Sequence, residues 1–204
     1  TNGISAVTMN GTNLFGPNNA TTGIWFTVNS TNQFSCPSNG VCIFTITATD
    51  NVSNTNSSTT LTITTDSGAP TVTNFGVNDT DRIVKSSDSL NFSVQVSDTS
   101  GIASVVMNGT TLSGPTGATA GNWSTINTTS QFNCPSNGQC IFTIIATDNS
   151  SNQDTSATLS LTIDSLVPSI GYAGGTENDA TNASRNWIYI NVSIVEANAA
   201  NVTF

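Results

Sequence analysis

Histidine is absent from this sequence, and lysine and arginine together number three. The first absence removes the commonest general base and the commonest transition-metal ligand. The second, beside twelve acidic residues and a net charge of −9, excludes a protein that holds nucleic acid by neutralising phosphates. No apolar run approaches the roughly 18 residues of a membrane span. There is no initiator methionine and no basic-plus-apolar secretion segment. Charged residues make up only 7% of the chain, against the quarter or so usual in globular domains.

Asn, Ser and Thr take the place of charge, at 27, 27 and 35 of 204 residues. Disordered chains combine such polarity with a shortage of β-branched and aromatic residues. Here Val, Ile, Thr and Phe are plentiful, and they favour strands.

The chain repeats itself. Residues 1–66 align without gaps to 99–164, with 41 of 66 positions identical. The echo includes Met9-Asn10-Gly11-Thr12 with Met107-Asn108-Gly109-Thr110, Gly16-Pro17 with Gly114-Pro115, and Trp25 with Trp123. It also includes two Cys-Pro-Ser-Asn-Gly-x-Cys segments and Ala48-Thr49-Asp50-Asn51 with Ala146-Thr147-Asp148-Asn149. A weaker echo sets Pro70 against Pro168, and Leu90, Phe92, Val94 and Val96 against Ile188, Ile190, Val192 and Ile194. The unit is therefore about 98 residues, the size of one immunoglobulin-type sandwich.

Alternation defines the strands. Leu90, Phe92, Val94 and Val96 interleave with Asn91, Ser93, Gln95 and Ser97, which predicts one buried and one wet face. Phe44, Ile46 and Ala48, like Phe142, Ile144 and Ala146, are assigned inward. Asn-Gly, Gly-Pro and Asp-Asn turns leave no room for a helix of ordinary length. The expected fold class is all-β: tandem immunoglobulin-like antiparallel β-sandwich modules. The second module is expected to hold seven strands, near 71–76, 89–97, 102–108, 110–113, 121–127, 139–147 and 155–163.

Three segments follow. Residues 1–66 form a module lacking its first two strands, and 67–164 form a complete module. Residues 165–204 supply the first strands of a third module or donor strands for a neighbouring subunit. A half-sandwich leaves a bare apolar face and unpaired edges. The expected partners are continuing repeats or copies of the chain itself, either of which yields a linear polymer. The third strand is supplied at both ends of the sequence, which favours a chain that continues on both sides over strand donation between separate molecules.

Gly121-Asn-Trp-Ser, Phe142-Thr-Ile-Ile-Ala-Thr-Asp-Asn-Ser-Ser-Asn152, Leu159-Ser-Leu-Thr-Ile-Asp164 and Asp98-x-Ser-Gly-Ile102 resemble tandem bacterial and archaeal immunoglobulin-like repeats of cell-surface proteins. Ser184-Arg-Asn-Trp-Ile-Tyr-Ile-Asn-Val-Ser and Ala200-Asn-Val-Thr-Phe204 look most like archaeal surface glycoproteins. The resemblance implies an extracellular stalk, adhesin, envelope protein or filament.

Cys36 and Cys42, and Cys134 and Cys140, stand six apart in matching positions. Four cysteines allow three connectivities. Their equivalence favours pairing within each module, across a Pro-Ser-Asn-Gly turn. Free thiols and a metal site are the weaker readings, because two thiolates without histidine make a poor zinc site. Disulfides imply an oxidising compartment outside the cytosol.

Fourteen Asn-x-Ser/Thr sequons lie at Asn10, Asn19, Asn29, Asn51, Asn56, Asn78, Asn91, Asn108, Asn122, Asn127, Asn149, Asn182, Asn191 and Asn201. Three pairs recur at the repeat spacing: Asn10/Asn108, Asn29/Asn127 and Asn51/Asn149. Such a count is in part a by-product of composition; recurrence and outward positions point to dense N-glycosylation, which would shield sheet faces in a chain with few charges.

Asp50, Asp148, Asp66, Asp164, Asp98 and Glu196 fall at turns and module junctions. Their oxygens could hold Ca²⁺ between modules, but Asp-Asn and Asp-Ser pairs also make turns by themselves. No metal or other cofactor is assigned beyond covalent N-glycans. Trp25 and Trp123 are expected in the core, with Trp187 and Tyr189 on the face opposite Ile188 and Ile190. Lys85 is the only lysine, which excludes a lysine–asparagine crosslink in the first module. Neither a catalytic dyad nor a phosphate loop is present, so no enzyme activity is expected. The functional expectation is a structural subunit of an extracellular filament or stalk. The alternative is an adhesin stalk or surface-layer protein that binds another surface or glycan.

Overall fold

The computed structural model describes residues 2–178, 182, 184–196 and 198. The chain is all-β. The first module holds β1 (Ile4–Met9), β2 (Thr12–Asn13), β3 (Gly40–Asp50) and β4 (Thr55–Thr65) in one antiparallel sheet, ordered β2-β1-β3-β4. The second holds β5 (Thr71–Val77), β6 (Ile83–Val84), β7 (Ser89–Ser97), β8 (Ile102–Met107), β9 (Thr110–Thr111), β10 (Ala120–Thr128), β11 (Asn137–Asp148), β12 (Gln153–Asp154) and β13 (Thr158–Asp164). After it come β14 (Ser169–Tyr172) and β15 (Val192–Val195), paired with each other.

The second module is an immunoglobulin-like sandwich. A sheet ordered β10-β7-β5 packs on a sheet ordered β6-β13-β11-β8-β9, with β12 added to β11. Along β7 every second side chain is buried, and Leu90, Phe92, Val94 and Val96 point inward. They meet Ile102, Val105 and Met107 of β8, Phe142, Ile144 and Ala146 of β11, and Leu159, Leu161 and Ile163 of β13. Phe92 and Phe132 each stand edge-on or tilted against Phe142, at 4.7 and 5.5 Å between ring centres. Fully burying a side chain of this size contributes about 1.5–3 kcal/mol, so this layer dominates the module's stability.

Two features differ from the alternation pattern. The strand expected over 155–163 begins only at Thr158 as β13, with the separate two-residue β12 lying before it at 153–154, and a short β6 runs parallel to β13. Only two residues of β6 pair, which is too short for periodicity to register. A four-residue 3-10 helix, Thr129–Phe132, leads into β11, and its equivalent, Thr31–Phe34, leads into β3. Asn10-Gly11 and Asn108-Gly109 have positive φ at both positions, as a tight two-residue hairpin turn requires.

The repeated Gly-Pro and Gly-x-Trp segments form one device. A Cβ at Gly114 would collide with the indole of Trp123, and one at Gly121 would strike the Pro115 ring that lies beside the same indole. Gly16 and Gly23 stand in the same relation to Trp25 and Pro17.

Candidate functional site

The open face of the first module is the first candidate. Its buried core is limited to Phe34, Cys42 and Phe44, with Met9 and Cys36 packed against it, and Val7 buried separately on β1. Phe34 and Phe44 keep the edge-on geometry of Phe132 and Phe142, at 5.4 Å. No described residues supply counterparts of β5 and β7 to cover them. Leu61 is consequently 59% exposed where the equivalent Leu159 is 5% exposed. Trp25 is half-buried with its Nε1–H lacking an acceptor, whereas Trp123 is sealed. Residues 22–30 carry the pattern of β10 but form no strand; a single bridge joins Phe15 to Phe26.

The second candidate is the junction between the modules. Asp66 at the end of the first module meets Asp98 and Asp148 of the second, with one carboxylate oxygen from each within 4.8 Å of the others. Asp148 is buried, and its Oδ1 accepts the Ser150 and Asn152 amides while Oδ2 accepts Asn152 Nδ2. Asp98 Oδ1 accepts the Ser100 amide and hydroxyl. Asn152 Nδ2 also reaches the Asp66 carbonyl at 3.3 Å, which ties the modules directly. The Ser100 hydroxyl, whose own bond goes to Asp98, lies near enough to Asp66 to stabilise its charge, and the Gly68 amide adds to this. Together they hold the Asp66 carboxyl below the usual carboxylate range, while its Oδ2 is buried without a donor.

Of the expected calcium ligands, Asp66, Asp98 and Asp148 therefore converge and Asp50 does not. Asp50 instead closes its own turn, with Asn54 as its side-chain partner. Two carboxylate oxygens in the trio, Asp66 Oδ2 and Asp98 Oδ2, are uncommitted, against the six to eight that Ca²⁺ takes. At the following junction Asp164 bonds Asn198 and Leu166, and Glu196 bonds the Asn198 amide.

The disulfides join Cys36 to Cys42 and Cys134 to Cys140, with Cα atoms 5.3 and 5.5 Å apart. Each pins the end of a 3-10 helix to the strand that follows it. The sequons divide by what their side chains do. Asn10 and Asn108 fold back onto the neighbouring strand: Nδ2 donates to the Ile43 and Ile141 carbonyls, and Oδ1 accepts from the Thr45 and Thr143 amides. Asn149 and Asn191 donate Nδ2 to the Ser100 and Gly174 carbonyls, and Asn78 Oδ1 accepts the Asn91 amide. Asn91 and Asn122 point outward from the β10–β7 pair. Asn19, Asn29, Asn51, Asn56 and Asn182 are exposed and Asn127 is half-buried. Asn201 lies outside the described residues. Trp187, Ile188, Tyr189 and Ile190 are all exposed, with Arg185 stacked over Trp187 at 4.4 Å.

No protein-family model matches the chain. No curated protein sequence matches it either. Among solved structures it is similar to the fibronectin(III)-like modules of Clostridium thermocellum CbhA, at 13% identity and a TM-score of 0.36, covering 80% of each chain. It is also similar to the D00-D0 domain of intimin, at 13% identity and TM-score 0.28, over 80% of this chain and 87% of that one. A third likeness is the Bacteroides ovatus glucan-utilisation protein SGBP-B, at 12% identity and TM-score 0.23, over 83% and 41%. These superpositions are loose, and the fold assignment rests on the strand order of the second module. Among the described residues no helix is long and apolar enough to cross a membrane.

Proposed function

We propose that the chain is a structural segment of an extracellular, N-glycosylated cell-surface filament or stalk of the archaeal type, built from immunoglobulin-like repeats. The observation that carries this reading is the junction. A module related to its neighbour by a fixed sequence period runs directly into it, and Asn152 Nδ2 of the second module reaches the Asp66 carbonyl of the first, which supports a chain lengthened module by module. The disulfides fit an oxidising exterior, and glycans on outward sequons such as Asn91 and Asn122 would cover sheet faces that carry little charge.

This role needs no catalysis and no resident cofactor. A second reading, an adhesin stalk or surface-layer protein, has one observation in its favour: exposed Trp187, Tyr189 and Tyr172 offer flat rings to a sugar.

Electron microscopy of the chain on its native surface tests the proposal. Thin unbranched polymers with modules repeating along the axis are expected. Discrete particles would overturn it, and two-dimensional lattices would transfer the chain to the surface-layer reading.

A further inference from the structure

We propose that each disulfide loop is the orienting clamp of the module junction beside it. The loop closed by Cys36 and Cys42 grips the chain, through Asn39, as it leaves the first module. It thereby sets the direction in which the second module starts. The inference concerns the joint between modules and does not depend on the filament reading.

Each loop carries an asparagine at its middle, three residues from either cysteine: Asn39 between Cys36 and Cys42, and Asn137 between Cys134 and Cys140. Asn39 Oδ1 accepts the Ser67 amide at 2.7 Å, and Asn137 Oδ1 accepts the Ser165 amide at 2.9 Å. Ser67 and Ser165 stand just past β4 and β13, where one module ends and the link to the next begins. One hydrogen bond from loop to link therefore recurs at both junctions, a repeat apart. At the first junction neighbouring loop residues reinforce it. The Ser67 hydroxyl donates to the Ser38 carbonyl at 3.1 Å, and the Thr65 hydroxyl to the Pro37 carbonyl at 2.7 Å. Cys36, Pro37 and Ser38 line one crevice with Asp66, Ser67 and Ser150, the last from the second module. The loop thus stands at the joint and not at a remote corner of its own module.

An asparagine acceptor sits on a short side chain, so it meets a distant amide only if its own backbone is held. The disulfide supplies that restraint. Gly40 and Gly138, which follow the two asparagines, have φ of +122° and +106°, a conformation glycine adopts readily and other residues avoid. The loop therefore turns back sharply into β3 or β11. An open loop of this composition samples many conformations, and its acceptor would leave the link. The link has few other ties. Asn152 Nδ2 reaches the Asp66 carbonyl at the longer distance of 3.3 Å, and buried Pro70 leads directly into β5. Neither Asn39 nor Asn137 lies in an Asn-x-Ser/Thr sequon, although fourteen other asparagines do. Both amides therefore stay free of glycan and available to the joint.

Residual dipolar couplings of the full chain read the joint directly, because one alignment tensor fits both modules only when their orientation is fixed. The parent chain should fit one tensor. Asn39→Ala removes the acceptor and keeps both cysteines, so the two modules should then require tensors of different magnitude. The Ser67 amide should exchange about two- to ten-fold faster, as the loss of one hydrogen bond implies. Unchanged amide shifts in β3 and β11 would show that both modules remain folded. Cys36→Ser with Cys42→Ser should loosen the joint in the same way, and adding Asn39→Ala should change it little further, because the bond and the acceptor act as one unit. Asn54→Ala breaks a turn bond beyond the far end of β3 and should keep a single tensor. A single tensor in Asn39→Ala would overturn the clamp, and so would separate tensors in the parent. Loosening by Asn54→Ala would also overturn it, since orientation would then follow general stability. A serine pair that stays folded and keeps one tensor would remove the disulfide from the device. Should that pair unfold the first module, Asn39→Ala and Asn54→Ala decide the matter.

Discussion

Leu61 and Leu159 are the same residue at the same place in the repeat, and they offer a test in which chemistry is fixed and only burial differs. Leu159→Ala empties a site that is 5% exposed and enclosed by both sheets. Losing the buried methyl groups and leaving a cavity costs about 3 kcal/mol, within the range seen for enclosed leucines. Leu61→Ala acts on a side chain that is 59% exposed. Less than half of the transfer energy is lost and no closed cavity forms, so the cost is about 0.5–1 kcal/mol. Urea unfolding of the two variants should therefore show a strong loss for Leu159→Ala and a small one for Leu61→Ala. Equal losses would refute the reasoning, because they would mean that the first module's face is already covered in the isolated chain.

Gly114→Ala should destabilise the second module by about 1–3 kcal/mol, since the added methyl must displace the Trp123 indole; an unchanged denaturation midpoint with unaltered tryptophan fluorescence would contradict the cradle. Asp50, chiefly through the Asn54 side chain, and Asp66, chiefly through the Ser100 hydroxyl, are both held below the usual carboxylate range. A carboxyl lowered on folding stabilises the fold above its unfolded pKa and loses that contribution as pH falls through the folded value. Melting temperature should therefore hold from neutrality to about pH 4 and fall below it, and Asp50→Asn should flatten that fall; an acid profile identical to the parent's would exclude Asp50. Glycopeptide mass spectrometry should find Asn91 and Asn122 more fully occupied than Asn10 and Asn108, whose amides are committed to neighbouring strands, and equal occupancy would count against that sorting. Chelation or millimolar Ca²⁺ should leave the melting temperature unchanged, because the junction trio offers too few uncommitted oxygens. A rise of several degrees with Ca²⁺, lost in Asp98→Asn, would reassign the junction as a cation site.

Much of the fold is legible because strands with one wet face advertise themselves. The alternation from Leu90 to Val96 gives β7 its bounds and its inward face. β6 is not legible, because two residues pairing in parallel with a distant strand leave no local period. The junction is half legible. Asp66, Asp98 and Asp148 each stand at a recognisable turn, but they are separated by long stretches of chain and meet only because β8, β11 and the end of β4 converge at one edge of the sandwich.

The boundary between local and tertiary control is clearest at Gly23-x-Trp25-x-Thr27-x-Asn29 and Gly121-x-Trp123-x-Thr125-x-Asn127. The sequence alone places both tryptophans toward the core and favours a disulfide within each module; the seating of each indole against its glycine and proline is seen only in the fold. The first two depend on side-chain size, φ preference and short chain separation. Whether such a segment becomes a strand is decided elsewhere. Residues 120–128 pair with β7 along their whole length, while residues 22–30 have no such neighbour and remain unpaired apart from the Phe15–Phe26 bridge. A strand's hydrogen bonds belong to two segments at once, so the same residues take different structures according to what lies beside them.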